Sequence, residues 1–179
     1  MVCALNSLTL QDSDYWYLPR PPKSRYPGGF PLHFESMLMK LLHHPYPVLQ
    51  PFGGRASVGI RCDLNPETSP DYICDAHDLP FDPETFMLVI LDPPYNDAYS
   101  EDLYKTGKLN FTKYTAEAVR VLKPGGFLVV YHGVSTPYIK GVELRSRIAL
   151  EIRPWHTLRS IRIYQKPGSS GRNLASSFS

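Results

Sequence analysis

The chain has 179 residues, 42% of them hydrophobic, and 19 Lys and Arg against 17 Asp and Glu give a formal net charge of +2. This length suits one domain with a well-buried core and leaves no room for a large second domain. No apolar run approaches the roughly 18 residues of a membrane span, and no basic start precedes a long apolar stretch, so we expect a cytoplasmic protein that is not membrane-bound.

Charge is distributed unevenly along the chain. Residues 61–104 contain one Lys or Arg and eleven Asp or Glu, whereas residues 105–179 contain thirteen and three. Two explanations are open at this point. The two segments neutralise each other inside the fold, or the basic segment forms a surface for a polyanion.

The three cysteines, Cys3, Cys62 and Cys74, do not form a regular framework, which indicates reduced thiols. Cys62, Cys74 and His77 resemble a partial zinc site. Two of them fall inside predicted strands, however, and no fourth ligand is suggested. The sequence therefore predicts no metal.

The first predicted regular element is a short helix. Residues 1–31 are too rich in Pro and Gly for a regular element and are predicted to form an arm or loop. In the following span, Leu32–Leu42, the residues Phe34, Leu38 and Leu41 have helical spacing. We therefore expect an amphipathic helix there, ended by the proline at position 45.

The remaining predicted elements are mainly strands. A second helix is predicted to begin at the N-cap Thr112, to run through Leu122 and to close at the turn Lys123–Gly126. A last helix is predicted over residues 137–147. The predicted strands cover residues 48–50, 57–63, 72–75, 87–92, 127–131, 148–153 and 158–164.

Strands that alternate with helices predict an α/β fold with a mainly parallel, doubly wound sheet and a C-terminal antiparallel strand pair. The domain is predicted to span residues 32–166, and residues 167–179, rich in Gly, Ser and Asn, are predicted to form a flexible tail. The early strands each end near an acidic or glycine-rich turn. In an open parallel sheet the ligand binds at the carboxyl ends of the strands, so we expect the site there.

The motif Asp92-Pro93-Pro94-Tyr95 lies at the end of the buried strand 87–92. Two consecutive prolines have no N–H group and a fixed φ, which makes the chain that leaves the sheet stiff. A carboxylate, a proline carbonyl and an aromatic ring within four residues form a platform that suits a planar group carrying an amine. A nucleobase has such an amine.

This motif, with the strand before it, resembles motif IV of the S-adenosylmethionine-dependent amino-methyltransferases, which methylate exocyclic amines such as adenine N6 or cytosine N4. The resemblance covers residues 26–164 and implies a Rossmann-like class I methyltransferase fold. It assigns catalysis to Asp92, Pro93, Pro94 and Tyr95. In this arrangement the carboxylate and the Pro93 carbonyl accept the N–H bonds of the amine, and Tyr95 stacks on the base.

The resemblance also implies S-adenosylmethionine as cofactor. Gln50-Pro51-Phe52-Gly53-Gly54 resembles motif I, Asp63 the acid that binds the ribose, and Asp75-Ala76 the segment that binds the adenine. The arm at Tyr26–Phe30 with the helix after it is similar to motif X, so the motif order is of the gamma type. The cofactor-binding residues implied are Tyr26, Pro27, Gly28, Phe52, Gly53, Gly54, Asp63, Asp75, Ala76 and Asp92.

The chain departs from the family pattern in three ways. Eight residues separate Gly54 from Asp63, whereas a helical crossover needs about a dozen or more, so we expect an abbreviated first crossover. Motif I also lacks its third glycine and has Gln50 where an acid often sits. In addition, no target-recognition domain follows motif IV.

The favoured interpretation is a DNA adenine-N6 methyltransferase. The alternatives are an RNA or cytosine-N4 methyltransferase, and a non-catalytic nucleic-acid-binding subunit of the same fold. A homodimer or a partner subunit would then supply target recognition. The predicted contacts to nucleic acid are Lys23, Arg25, Lys105 and Lys108 for phosphates, with Tyr99 and Tyr104 for stacking.

Overall fold

A computed structural model describes residues 15–20, 29–94, 109–133, 136–154 and 157–168. In chain order its elements are β1 (Tyr15–Tyr17), α1 (Phe34–Leu41), β2 (Val48–Gln50), β3 (Ile60–Asp63), a 3-10 turn (Pro66–Thr68), β4 (Tyr72–Ile73), β5 (Phe86–Leu91), α2 (Phe111–Val121), β6 (Leu122–His132), β7 (Glu143–Glu151) and β8 (Arg159–Gln165). Neither helix in these ranges is long and apolar enough to cross a membrane.

The strands of the described residues form one eight-stranded sheet in the order β1-β7-β8-β6-β5-β2-β3-β4. All neighbouring strands are parallel except that β8 runs antiparallel to both β6 and β7. The predicted α/β fold with a mainly parallel sheet and a C-terminal antiparallel pair is confirmed.

One helix packs on each face of the sheet. The strand β5 shows why: Leu88 and Ile90 join the core cluster that contains the α1 residues, whereas Val89 and Leu91 join the cluster that contains the α2 residues. Side chains alternate between the faces of a strand, so this fully apolar strand is buried on both faces. It therefore places the chain after Leu91 near the middle of the sheet edge.

Strands β2 and β3 are parallel neighbours, yet the nine residues 51–59 that join them contain no helix. The abbreviated crossover predicted from the sequence is thus present. Gly59 makes the tight return possible, because it has a φ of +77° and an added Cβ would lie 2.5 Å from the Val48 carbonyl oxygen. Only glycine fits both conditions.

We expect Gly59→Ala to lower the free energy of unfolding by about 3 kcal/mol or more, because backbone strain and a clash with β2 act together. Gly125→Ala is the matched control, since its φ of +79° is nearly the same and an added Cβ meets nothing within 4 Å. Strain alone should lower its stability by about 1–2 kcal/mol. Urea unfolding measures the stability of both variants. Equal losses of unfolding free energy in Gly59→Ala and Gly125→Ala would contradict the clash with β2.

The predicted helix over 137–147 is wrong, because residues 143–151 form the strand β7. Within it Ser146, Ile148 and Leu150 are buried while Arg145 and Arg147 are exposed. This spacing of two is typical of a half-buried strand, and pairing with β8 satisfies its backbone groups. Residues 137–142, the first part of the predicted helix, form neither a helix nor a strand.

The sequence analysis also missed β1, which lies within the predicted arm and pairs in parallel with β7. Trp16 is buried between the exposed Tyr15 and Tyr17. Three residues are too few for a periodic pattern, and the partner strand lies more than 130 residues away in the chain. The sheet therefore begins before residue 32.

The N-cap of helix α2 lies two residues earlier than predicted. Asn110, not Thr112, is the N-cap, and its side-chain oxygen accepts the backbone N–H of Lys113 at 3.0 Å. At the other end Lys166 Nζ donates to the carbonyls of Val119 and Leu122 at 3.0 and 2.7 Å. Because Lys166 directly follows β8, these hydrogen bonds connect β8 to the C-terminal end of α2. The predicted turn over residues 123–126 lies inside β6 as an irregularity in its pairing with β5.

Candidate active site

Four parallel strands carry the predicted site residues to one edge of the sheet. Asp63 ends β3, Asp75 follows β4, and Asp92 follows β5 directly. The loop 51–54 leaves β2 between β5 and β3. Because the carboxyl ends of parallel strands share an edge, the loop and the three carboxylates form one candidate site.

Asp92 is half-buried, Pro93 is buried and Pro94 is half-buried. These residues follow β5, which lies between β2 and β6. The platform residues therefore emerge from the interior of the sheet rather than from a loop at its margin. Such support holds a functional carboxylate more rigidly than a mobile loop would.

The loop 51–54, the predicted motif I, is bonded directly to β3, the strand that carries Asp63. The Gly53 N–H donates to the Cys62 carbonyl at 2.8 Å, and the Gly54 N–H donates to Asp63 Oδ2 at 2.9 Å. The Asn65 N–H donates to Asp63 Oδ1, also at 2.9 Å. The structure thus brings Gly54 and Asp63 together, with the carboxylate held by two backbone amides.

Gly53 has no space for a side chain. An added Cβ would lie 2.7 Å from Arg61 Cβ and 2.9 Å from the Gln50 carbonyl oxygen. Arg61 fills the space beside it and donates to the carbonyls of Gly54, Thr68 and Ser69. The loop is therefore packed against β3 by a glycine and an arginine, where a longer crossover would have placed a helix.

Glu35 is a residue of this region that the sequence analysis missed. Its Oε1 accepts the side-chain amide of Gln50 at 2.8 Å and the N–H of Val58 at 3.1 Å, and both its oxygens accept from Ser57. Gln50 is buried, with 1% of its surface exposed. Helix α1 thus supplies the carboxylate that motif I itself lacks and ties it to both ends of the abbreviated crossover.

We expect Glu35→Gln to weaken binding of the predicted cofactor, S-adenosylmethionine, several-fold, because an amide in this position cannot accept all of these hydrogen bonds and the 51–58 loop loosens. Ser36→Ala is the control, since Ser36 is exposed and bonds only the His33 carbonyl within its own helix. Isothermal titration calorimetry measures the affinities. Unchanged affinity in Glu35→Gln would mean that this network does not shape the cofactor site.

Asp75 is bonded to His77, which the sequence analysis considered only as a metal ligand. Asp75 Oδ1 accepts the His77 N–H at 2.9 Å and lies 2.7 Å from His77 Nδ1, while His77 Nε2 accepts the Asn110 N–H at 2.9 Å. Burial raises the pKa of Asp75, but the hydrogen bonds from His77 outweigh it and the pKa lies below its ordinary value. Asp75 Oδ2 makes no hydrogen bond to another described residue.

Two cysteines directly precede the carboxylates of Asp63 and Asp75. Interaction with the Cys74 thiol, together with burial, raises the pKa of the Cys62 thiol, and interaction with Cys62 lowers the pKa of the Cys74 thiol. Both are free thiols. Within the described ranges no group of three or more His, Cys, Asp or Glu side chains has the geometry to hold a metal.

His132, which the sequence analysis did not single out, ends β6, the strand beside β5. Leu91, the last residue of β5, pairs with Val130, two residues before His132. Burial, together with the positive charge of Arg159, lowers the pKa of His132 below its ordinary value. The ring is therefore neutral at pH 7.

Ten predicted site residues lie outside the described residues. They are Lys23, Arg25, Tyr26, Pro27, Gly28, Tyr95, Tyr99, Tyr104, Lys105 and Lys108. The stacking role of Tyr95 and the phosphate contacts assigned to the four basic residues therefore stay predictions. Phe52 and Ala76, in contrast, are described, and both pack into the core on the α2 side.

Comparison with known proteins supports the fold by structure alone. No protein-family model matches the sequence, and no curated protein is significantly similar to it in sequence. Among solved structures, the "Putative methyltransferase yhhF" of Escherichia coli superposes with a TM-score of 0.53 at 13% identity, covering 84% of this chain and 92% of that one.

A second solved structure is the 1,6-didemethyltoxoflavin-N1-methyltransferase of Burkholderia thailandensis with bound 1,6-didemethyltoxoflavin and S-adenosylhomocysteine. It superposes with a TM-score of 0.51 at 11% identity, covering 74% of this chain and 76% of that one. At such low identities the likeness establishes a common architecture. The chain has the Rossmann-like α/β fold of these methyltransferases.

Proposed function

We propose that this protein transfers a methyl group from S-adenosylmethionine to the exocyclic amine of a nucleobase, with adenine N6 in DNA as the substrate. The observation that carries the proposal is the arrangement of one sheet edge. Asp92 and two prolines leave the interior strand β5, with a glycine loop and two further carboxylates on the strands to one side.

The residues on that side suit S-adenosylmethionine. The close packing of Gly53 leaves backbone, rather than a side chain, to meet the methionine part. Asp63 is held in place by two amides and keeps lone pairs for ribose hydroxyls, and Asp75 Oδ2 suits the adenine amine. When bound, the cofactor supplies an electrophilic methyl group.

Asp92 and the Pro93 carbonyl would bind the target amine. The lone pair of a nucleobase amine is delocalised into the ring, which makes the amine a poor nucleophile. Two acceptors for its N–H groups favour a pyramidal nitrogen whose lone pair points at the methyl group. Holding the two reactants in line then supplies much of the rate.

The target base must reach this edge from outside the sheet. In a duplex it has to be flipped out of the stack, whereas in a single strand it is already accessible. Asp92 in the first position of the motif favours adenine over cytosine by resemblance. Three alternatives are not part of the proposal: RNA as the substrate, cytosine N4 as the methyl acceptor, and a non-catalytic nucleic-acid-binding subunit. The following experiment distinguishes them.

The test is methyl transfer from radiolabelled S-adenosylmethionine to single-stranded DNA, duplex DNA and RNA pools, with the modified nucleoside identified by mass spectrometry. We expect N6-methyladenine in DNA. Label in RNA or in N4-methylcytosine would correct the substrate. A purified chain that binds nucleic acid but no cofactor would overturn the enzymatic proposal in favour of the partner subunit.

A further inference from the structure

The sheet separates the opposite charges of the chain. The described residues of β1, β7, β8 and their flanking loops contain eight Lys and Arg against two Glu, whereas residues 60–85 contain one Arg against seven Asp and Glu. Four strand spacings, or about 19 Å, lie between β8 and β3. This exceeds the Debye length of about 8 Å at physiological salt, so most of the basic end is not neutralised by the acidic end.

Some of the basic side chains have structural partners and are not available to a ligand. Lys166 fastens the end of α2 and contacts Glu84 at 3.6 Å, and Arg145 pairs with Glu143 at 3.0 Å. Arg20, Arg147 and Arg153 differ, because each is exposed and none forms an ion pair with a described residue. These three arginines, together with the exposed Lys140, are the available cations of the basic end.

Two of these arginines lie on the edge that carries the candidate active site. Strands β1 and β7 run parallel to each other, and β7 and β6 are both antiparallel to β8. The carboxyl ends of β1, β7, β6 and β5 therefore share one edge. Arg20 follows β1 and Arg153 follows β7, so both lie on the edge where Asp92 follows β5.

An exposed aromatic ring accompanies the arginines. Tyr17 ends β1 with 59% of its surface exposed, and it pairs in register with Glu151. On the same face Tyr15 donates a hydrogen bond to the Glu151 carboxylate, which fixes the position of this acid beside Tyr17. Helix α1 packs on the opposite face of this part of the sheet, where Phe34 contacts Trp16.

We propose that the β1–β7 end of the carboxyl edge, formed by Arg20, Arg153 and Tyr17, holds the nucleic-acid strand that flanks the target base. The inference rests on the proposed function and adds the place where the substrate is held. Arginines contact phosphates and an exposed tyrosine stacks on a base, and the two together are typical of single-strand grooves.

The geometry suits a strand whose target base lies on the platform. From β5 to β1 there are four strand spacings, about 19 Å, a distance that a few extended nucleotides span. The cofactor side of the same edge carries Asp63 and Asp75 and repels phosphates. A bound strand is therefore directed from the platform towards β1 and away from β4.

The test uses fluorescence anisotropy with a labelled 20-nucleotide single-stranded DNA over a range of salt concentrations. We expect Arg20→Ala/Arg153→Ala to reduce the slope of log affinity against log salt by about 1.4, at roughly 0.7 per phosphate contact on a single strand. Tyr17→Ser should lower affinity about tenfold without changing the slope. Cofactor affinity should stay unchanged in both variants.

Lys140→Ala/Arg145→Ala is the matched control. It removes the same charge from the opposite edge, at the amino end of β7. An equal loss of slope in this control would overturn the inference, because it would show a diffuse field rather than a site at the carboxyl edge.

The failures of the inference and of the proposed function are distinguishable. If the wild-type protein methylates nucleic acid and Arg20→Ala/Arg153→Ala keeps its salt slope and KM, the placement is wrong while the function stands. If the wild-type protein binds S-adenosylmethionine but neither binds nor methylates any nucleic acid, the proposed substrate is wrong and the inference falls with it.

Discussion

Asp92→Ala is expected to lower the rate of methyl transfer at least about 100-fold, because the target amine loses the charged acceptor that orients its lone pair. Cofactor affinity should change little, because Asp92 should contact the target amine more than the cofactor, while Asp63, Asp75 and the glycine loop follow the strands to one side of β5. Single-turnover transfer from radiolabelled cofactor measures the rate, and calorimetry measures the affinity.

Two further variants sharpen this test. Asp92→Asn keeps an oxygen that accepts one N–H group, so we expect it to retain more activity than the alanine variant. Pro93 acts through its backbone carbonyl, so Pro93→Ala should have a milder effect. Near-normal turnover in Asp92→Ala would show that the amine is bound elsewhere and would refute the platform mechanism.

Asp63→Ala is expected to weaken cofactor binding by about 1.5–3 kcal/mol, which corresponds to roughly 10- to 150-fold. The ribose hydroxyls would lose their charge-assisted hydrogen bonds to the carboxylate, and the Gly54 and Asn65 amides would lose the acceptor of their hydrogen bonds. The loss should therefore lie towards the upper end of this range. Calorimetry with S-adenosylhomocysteine provides the measurement.

Glu67→Ala is the control for Asp63→Ala, because Glu67 is an exposed acid in the turn just after β3. Removing it changes the net charge equally but breaks no contact with the motif I loop. We expect its cofactor affinity to match the wild type. If both variants bind equally well, the ribose is bound elsewhere and the abbreviated crossover has changed the cofactor site.

The uneven charge along the chain can be interpreted once the strand order is known. The sequence left internal neutralisation and a polyanion surface equally open. Strand order separates the two segments, because β3 and β4 lie at one end of the sheet and β7 and β8 lie near the other. Internal pairing does occur, as between Lys166 and Glu84, but it leaves Arg20, Arg147 and Arg153 exposed.

Local patterns in the sequence determined the α/β class, helix α1, the strands β2 to β5, the missing crossover helix and the carboxylates at one edge. Each of these depends on neighbouring residues: apolar runs of strand length, helical spacing, and too few residues for a helix. The motif after β5 belongs with them, because a strand and its following turn are contiguous.

Only the tertiary structure decided which distant segments meet. Tyr15 pairs with Ala149, Glu35 bonds Gln50, and Leu91 before the platform pairs with Val130 of the strand that ends at His132. The helix predicted over residues 137–147 is wrong for the same reason, because pairing of β7 with β8 outweighs a weak local preference for helix. Strand partners and carboxylate contacts depend on chain closure rather than on local periodicity, so the support of the glycine loop and the basic end of the edge became visible only in the folded chain.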